Sequence, residues 1–368
     1  MKILVTGAKG FIGKNLVVEL KNRGYNDIYE YDLDTTVSLD EYTRDCGFVF
    51  HLAGINRPEN PDDYMKGNYG FTADLLNSLK KNNNRAPILV TSSIQAEKDN
   101  PYGISKKAAE DLLFEYGRLN SVDVMIYRLP NVFGKWSRPN YNTVVATYCH
   151  NIARDMDIRI NDPDTELTLC YIDDVVQEFI KALEGNPTRL SGYCVVPVTY
   201  KVKLGKLASI IKEFRECRKN LSLPDMSDPF IRKLYSTYLS FLPEDCFTYG
   251  LKMNCDVRGS FTEFIRTPDR GQFSVNISKP GITKGNHWHH SKHEKFLVVS
   301  GEGIIRFRKV GSDKIIEYKV SGENLQVVEI PPGYTHSIVN TGDSDMVTVM
   351  WANECFDPEN PDTYYMEV

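Results

Sequence analysis

The hydrophobic period of this chain changes near residue 245, and no single architecture accommodates both patterns. Up to about residue 183, short apolar runs alternate with helix-spaced segments. Residues 2–6, 48–53, 88–92 and 125–128 read as buried strands, and 12–23 and 105–119 as helices. That alternation predicts an α/β fold, a doubly wound parallel sheet with helices on both faces. Residues 204–218 and 230–242 are again helical in spacing. Beyond Cys255 the texture differs. Runs at 272–278, 295–299, 303–308, 315–320, 326–330 and 347–352 follow one another, punctuated by Gly, Pro and Asp, with no helical segment between them. This predicts an antiparallel all-β barrel or jelly roll. The expected domains are 1–245 and 246–368, an ordinary division for 368 residues.

Composition bears on function more than on fold. Lys and Arg number 44 against 49 Asp and Glu, a formal net charge of −5. No basic excess points to nucleic acid or to an anionic membrane surface as partner. No apolar run reaches the ~18 to 20 residues that a membrane helix needs. The start, Met1 to Gly7, leads straight into a glycine-rich turn, unlike a signal peptide. Eight cysteines, none in a C-x-x-C pair, read as reduced thiols. A soluble, cytoplasmic protein is expected.

Gly7-Ala8-Lys9-Gly10-Phe11-Ile12-Gly13 is G-x-x-G-x-x-G, set between a predicted strand and a predicted helix. Glycines there let the backbone approach a pyrophosphate, and the helix start offers free N–H groups. Asp32 lies about 20 residues further on, where a carboxylate binds an adenosine ribose 2′-hydroxyl. Tyr102 and Lys106 stand at i and i+4 and share one helix face. An ammonium beside the phenol is expected to lower its pKa, so that it passes a proton to a carbonyl oxygen near neutral pH. Thr91-Ser92-Ser93 ends the preceding strand. These segments resemble the extended short-chain dehydrogenase/reductases over roughly residues 1–240. His51-Leu52-Ala53-Gly54, Asn68, the run Arg128 to Gly134, and Tyr171-Ile172-Asp173-Asp174 add to the likeness. The resemblance implies a Rossmann-like fold and a catalytic set of Ser93, or else Ser92, with Tyr102 and Lys106. It implies cofactor contacts at Gly7, Gly10, Phe11, Ile12, Gly13, Asp32, Leu52, Ala53 and Lys106, and a substrate contact at Asn131. Eight residues separate Ser93 from Tyr102, fewer than extended members usually carry, which implies a more open substrate mouth.

Five of the seven histidines lie between 287 and 336. His287 and His289 would share one face of a strand, and Glu294 and His336 would complete a three-nitrogen, one-oxygen site for a divalent metal. Gly281-x5-His287-x-His289-x4-Glu294-x6-Gly301 resembles the first cupin motif, and Pro331-x-Gly333-x2-His336-x3-Asn340 most of the second. Residues 256–263 and 272–281 also resemble the dTDP-sugar 3,5-epimerases, themselves cupins. That likeness implies that Arg258 and Glu263 hold a nucleotide sugar and that Lys295 lies near its keto oxygen. From end to end the chain resembles the CapF-type capsular polysaccharide enzymes. Asn56-Arg57-Pro58, Lys135-Trp136, Pro139-Asn140-Tyr141-Asn142 and His287-Trp288-His289-His290 carry that likeness. It implies a bifunctional enzyme for a UDP-4-keto-6-deoxy-N-acetyl-hexose. By that likeness a zinc-bearing cupin jelly roll would epimerise C3 and the reductase would reduce C4 with NADPH. The implied product is UDP-2-acetamido-2,6-dideoxy-L-talose, on the route to UDP-N-acetyl-L-fucosamine for capsule or O-antigen. Asp32 leaves NADH open against NADPH, while Lys9 and Lys14 flank the glycines and could meet a 2′-phosphate. A homodimer is expected. The rival reading is a 4-keto-sugar reductase whose cupin holds metal only as a scaffold.

Overall fold

The computed structural model describes residues Met1–Val368, which form two compact units. One comprises Met1–Lys212 and Ser227–Pro243, the other Glu213–Met226 and Glu244–Val368. The main division falls beside the expected one, but Glu213–Met226 groups with the second unit. Long-range contacts explain this. The Arg266 N–H donates to the Leu221 carbonyl at 2.7 Å. Arg218 donates to the Thr248 carbonyl at 3.0 Å and lies over the Tyr249 ring.

In the first unit a parallel sheet is built from β1 (Ile3–Thr6), β2 (Ile28–Tyr31), β3 (Phe48–His51), β4 (Ile88–Ser93) and β5 (Val124–Leu129). Their spatial order is 2-1-3-4-5, extended by two short strands at 193–194 and 189–190. Every residue of β1 and β3 is buried, as a strand covered on both faces requires. Ile3 and Val5 point into one core with Leu16, Leu20, Phe50 and Phe179. Leu4 points into the other with Val49, Leu75, Leu79 and Leu113. The chain runs outward from β1 to β2 and then crosses back past β1 to β3, so the direction of winding reverses beside β1. A crevice therefore opens at its carboxyl end, where the glycine motif begins.

The second unit has two antiparallel sheets. One is ordered Met253–Asp256, Gly259–Thr267, Gly271–Ser278, Met346–Ala352, Glu294–Ser300, Val327–Ile330; the other Ile315–Ser321, Glu302–Lys309, Tyr334–Asn340, Thr283–Trp288, Tyr364–Tyr365. Phe296 and Val298 from the first sheet meet Ile305, Phe307 and Ile338 from the second in one core. This is the predicted jelly-roll class. The strands Gly259–Thr267 and Tyr334–Asn340 were not among the predicted runs, and Thr283–Trp288 was expected only as the strand bearing His287, because polar side chains interrupt their apolar pattern.

Candidate active site and metal centre

The cradle in the first unit follows from backbone sterics. Gly7 has φ +70°, and a Cβ there would stand 2.8 Å from the Ala53 nitrogen. At Gly13 a Cβ would overlap the Gly7 carbonyl oxygen. The helix α1 (Phe11–Asn22) starts at Gly10 with no side-chain cap and no acidic residue in its first turn. Its leading N–H groups thus face the crevice with the positive end of the helix dipole. Phe11 and Ile12 pack on the core beside the cradle, and Leu52 does so from the far side. Asp32, just after β2, accepts from the Lys9 N–H at 2.8 Å and the Leu33 N–H at 2.9 Å. The Lys9 ammonium pairs with Asp34, which raises its pKa and lowers that of the aspartate. The donor-rich glycine turn and the carboxylate at the end of β2 fit a dinucleotide.

The helix Pro101–Asn120 starts four residues earlier than predicted. Asn100 accepts from the Gly103 N–H at 2.9 Å, and Pro101 fits the first turn. Tyr102 therefore stands in that turn, against the carboxyl end of β4. Ser93 lies close enough to the phenol to lower its pKa, whereas Ser92 donates to the buried Glu110 carboxylate at 2.6 Å. Lys106 donates to the Thr91 carbonyl at 3.2 Å, and its ammonium lies 6.0 Å from the Tyr102 ring centre. Burial lowers the Lys106 pKa to about 8. The tyrosine departs from expectation. Burial pushes it up to about 12, against the lowering effect of Ser93, because desolvating a phenolate outweighs the ammonium at this distance. Tyr102 is thus held as a proton-bearing phenol. Asn68, buried in the π-helical turn Met65–Gly70, donates to Ser105 at 3.0 Å and to the Ile55 carbonyl at 3.1 Å. Asn131 is exposed at a strand start, with its amide 3.5 Å from the Thr168 carbonyl.

In the second unit His287, His289, Glu294 and His336 converge, with one candidate ligand atom from each lying within 4.8 Å of the others. A bulge between Gly285 and His287 turns the strand, so His289 comes from the bend beyond it. Glu294 Oε2 is 3.5 Å from His289 Nε2 and 3.3 Å from His336 Nε2. All three atoms are buried without a hydrogen-bond partner. Orphaned polar atoms at this density are costly unless an ion joins them. Burial and the neighbouring His336 lower the His287 pKa to about 4, so its imidazole is neutral, as a ligand must be. Burial opposes ionisation of Glu294, but the close approach of His289 and His336 and the nearby Lys292 ammonium prevail and hold it well below the usual carboxylate range. Three imidazoles and a carboxylate fit zinc or a similar divalent ion.

A cavity of about 580 Å³ opens beside His287, Glu294 and His336, with Arg258 at its rim. A second, of about 600 Å³, shares Lys292, Glu294 and Met350 with it and is lined by Glu263. Arg258 folds onto Asp256 at 2.6 Å, and Glu263 lies 3.6 Å from Arg266. Lys295 is not brought to the site. It follows Glu294 on a strand, so it points to the opposite face, where it pairs with Glu329 at the surface. Two lysines missed from the sequence line the first cavity. Lys292 approaches Glu294 at 3.5 Å, and Lys284 donates to Asn276 at 2.8 Å. Their place inside the motif spacing, Lys284 between Gly281 and His287 and Lys292 between His289 and Glu294, was the available signal.

Comparison with known proteins agrees with the two-part organisation. Residues 3–191 match the NAD dependent epimerase/dehydratase family, and 254–364 the polysaccharide biosynthesis C-terminal domain. The fold and family matches thus define a nucleotide-dependent oxidoreductase domain joined to a β domain that carries a candidate metal site. The chain belongs to the CapF-type family of capsular polysaccharide enzymes. It is 49% identical to UDP-2-acetamido-2,6-beta-L-arabino-hexul-4-ose reductase of Pseudomonas aeruginosa, over 100% of this chain and 99% of that one. The crystal structure of the capsular polysaccharide assembling protein CapF of Staphylococcus aureus superposes with TM-score 0.95 at 54% identity, covering 100% of both chains. UDP-glucose 4-epimerase of Thermotoga maritima shares the fold alone, at 20% identity and TM-score 0.54 over 66% of this chain and 98% of that one.

Proposed function

We propose that this chain is a bifunctional enzyme acting on a UDP-4-keto-6-deoxy-N-acetyl-hexose. The second unit inverts C3 and the first reduces C4, giving UDP-2-acetamido-2,6-dideoxy-L-talose on the route to UDP-N-acetyl-L-fucosamine for capsule or O-antigen. The observation that carries the reading is that one chain brings Ser93, Tyr102 and Lys106 together in one unit and His287, His289, Glu294 and His336 in the other. The name of the Pseudomonas aeruginosa relative supports the 4-keto sugar as substrate.

The two steps share a ketone. A carbonyl at C4 acidifies the hydrogen at C3. When bound, the metal held by His287, His289, Glu294 and His336 supplies Lewis-acid stabilisation of charge on the C4 oxygen. Lys292, beside Glu294, adds positive charge to the same cavity wall. The C3 proton leaves on one face and a proton returns on the other, so the step is reversible and redox-neutral. Reduction then draws it forward. When bound in the Gly7–Gly13 cradle, the nicotinamide nucleotide supplies the hydride to C4. Tyr102 donates its phenolic proton to the C4 oxygen, Ser93 orients the phenol, and Lys106 holds positive charge behind it. NADPH is taken as reductant from the family likeness. Asp32 at the ribose position favours NADH, and initial rates with the two nucleotides decide between them. We place the enzyme in the cytoplasm as a homodimer; no helix is long and apolar enough to cross a membrane.

The test is product analysis by NMR in D2O, with the 4-keto sugar and NADPH. A reduced product inverted and deuterated at C3 is expected. A reduced product with C3 protonated and uninverted would leave a simple reductase with a scaffold cupin.

A further inference from the structure

We propose that Asp362 is a positioning residue for the metal centre, and that the C-terminal segment is a strap that sets the His289–Lys292 bend. The Asp362 carboxylate accepts three successive backbone N–H groups, from His290 at 2.8 Å, Ser291 at 2.8 Å and Lys292 at 2.9 Å. It also accepts the Ser291 hydroxyl at 3.1 Å. Its backbone carbonyl meets His289 Nδ1. A carbonyl only accepts, so the imidazole proton resides on Nδ1 and the Nε2 lone pair is left facing Glu294, 3.5 Å away. His336, by contrast, has no such partner at Nδ1. The strap is itself anchored. Tyr364 and Tyr365 pair with Trp288 and His287 as a short antiparallel strand, and the Met366 N–H donates to the Asn286 carbonyl at 2.9 Å. One tail aspartate thus fixes the tautomer of one ligand through its main chain and the path of the bend through its side chain. The partners that orient a ligand contribute to metal affinity as well as to geometry.

This rests on reading the four converging side chains as a metal site. The experiment uses the full-length chain with Asp362→Ala, Asp362→Asn and, as control, Asp357→Ala, whose carboxylate bonds only within its own turn. Zinc affinity is read by competition with a chromophoric chelator, and ligand geometry by the visible spectrum of the cobalt-loaded protein. Asp362→Ala should weaken zinc binding about 10- to 100-fold and alter the cobalt spectrum. Both variants keep the main-chain carbonyl; Asp362→Asn also keeps the side-chain shape and an accepting oxygen but not the charge, so it should fall between Asp362→Ala and wild type. It carries the test if Asp362→Ala does not fold. Asp357→Ala should match wild type. Wild-type affinity and spectrum in the Asp362 variants would overturn the proposal. A wild-type chain that binds neither zinc nor cobalt would instead overturn the metal reading itself, and this one with it.

Discussion

Tyr102 and Lys106 show how burial sets the chemistry of single side chains. Tyr102 is a phenol held up at about 12, suited to give a proton and not to take one. Tyr102→Phe should cut C4 reduction roughly 10²- to 10⁴-fold, the usual worth of a positioned acid. Deuterium exchange at C3, followed by NMR, should continue; loss of both reactions would contradict separate sites. Lys106 titrates near 8 in the folded chain against 10.5 ordinarily, because burial disfavours its charge. Raising the pH through about 8 removes that ammonium, so single-turnover reduction should fall above it, and Lys106→Met should flatten the profile. The unfolded chain keeps the proton up to about 10.5. Between those values it therefore binds more protons than the folded one, and the Lys106 contribution to stability rises with pH. Comparing wild type with Lys106→Met in denaturant below and above that window checks the sign.

The first turn of the Pro101–Asn120 helix sets where Tyr102 stands. Asn100→Ala removes the cap on Gly103 and should cost about 1 kcal/mol of stability in urea unfolding. It should also raise KM for the 4-keto sugar as the Tyr102 turn frays. Sequence spacing located this helix but began it at Ser105. The Asn-Pro start signal at residues 100–101 was present and unread. The strand predicted at 48–53 ends at His51, so Leu52 and Ala53 belong to the turn under the cradle. Gly271–Ser278 shows a different limit. Its two-residue period was legible, yet the deeply buried side is the polar one, Gln272, Ser274, Asn276 and Ser278. Alternation alone predicts the apolar face inward. Here the inward face borders the two cavities, to which Gln272 and Ser274 on one side and Asn276 on the other contribute.

The two units carry separable halves of one conversion, which gives a prediction for the intact enzyme. Stripping metal with a chelator should stop C3 exchange. Hydride transfer to a 4-keto sugar supplied already inverted at C3 should continue, read as nucleotide absorbance. His289→Ala should reproduce that split and lower bound metal, measured by elemental analysis, since a buried ligand with Nε2 aimed at Glu294 is lost. Metal content equal to wild type would remove His289 from the ligand set.

Period and spacing are properties of neighbours along the chain, and they carried the fold class, the glycine cradle, the Tyr102–Lys106 pair and the four candidate ligands. Each depends on backbone geometry that repeats every two or about 3.6 residues. What packing decided lies between residues far apart in sequence. Ser92 is taken by Glu110, 18 residues away, which leaves Ser93 to face Tyr102. The tyrosine's pKa rises because many distant groups exclude water from it. Lys295 turns outward to Glu329, while Lys292 reaches the cavity. Asp362 closes on His289 across 73 residues. Desolvation and hydrogen-bond partnership are sums over spatial neighbours, and those neighbours exist only once the chain has folded.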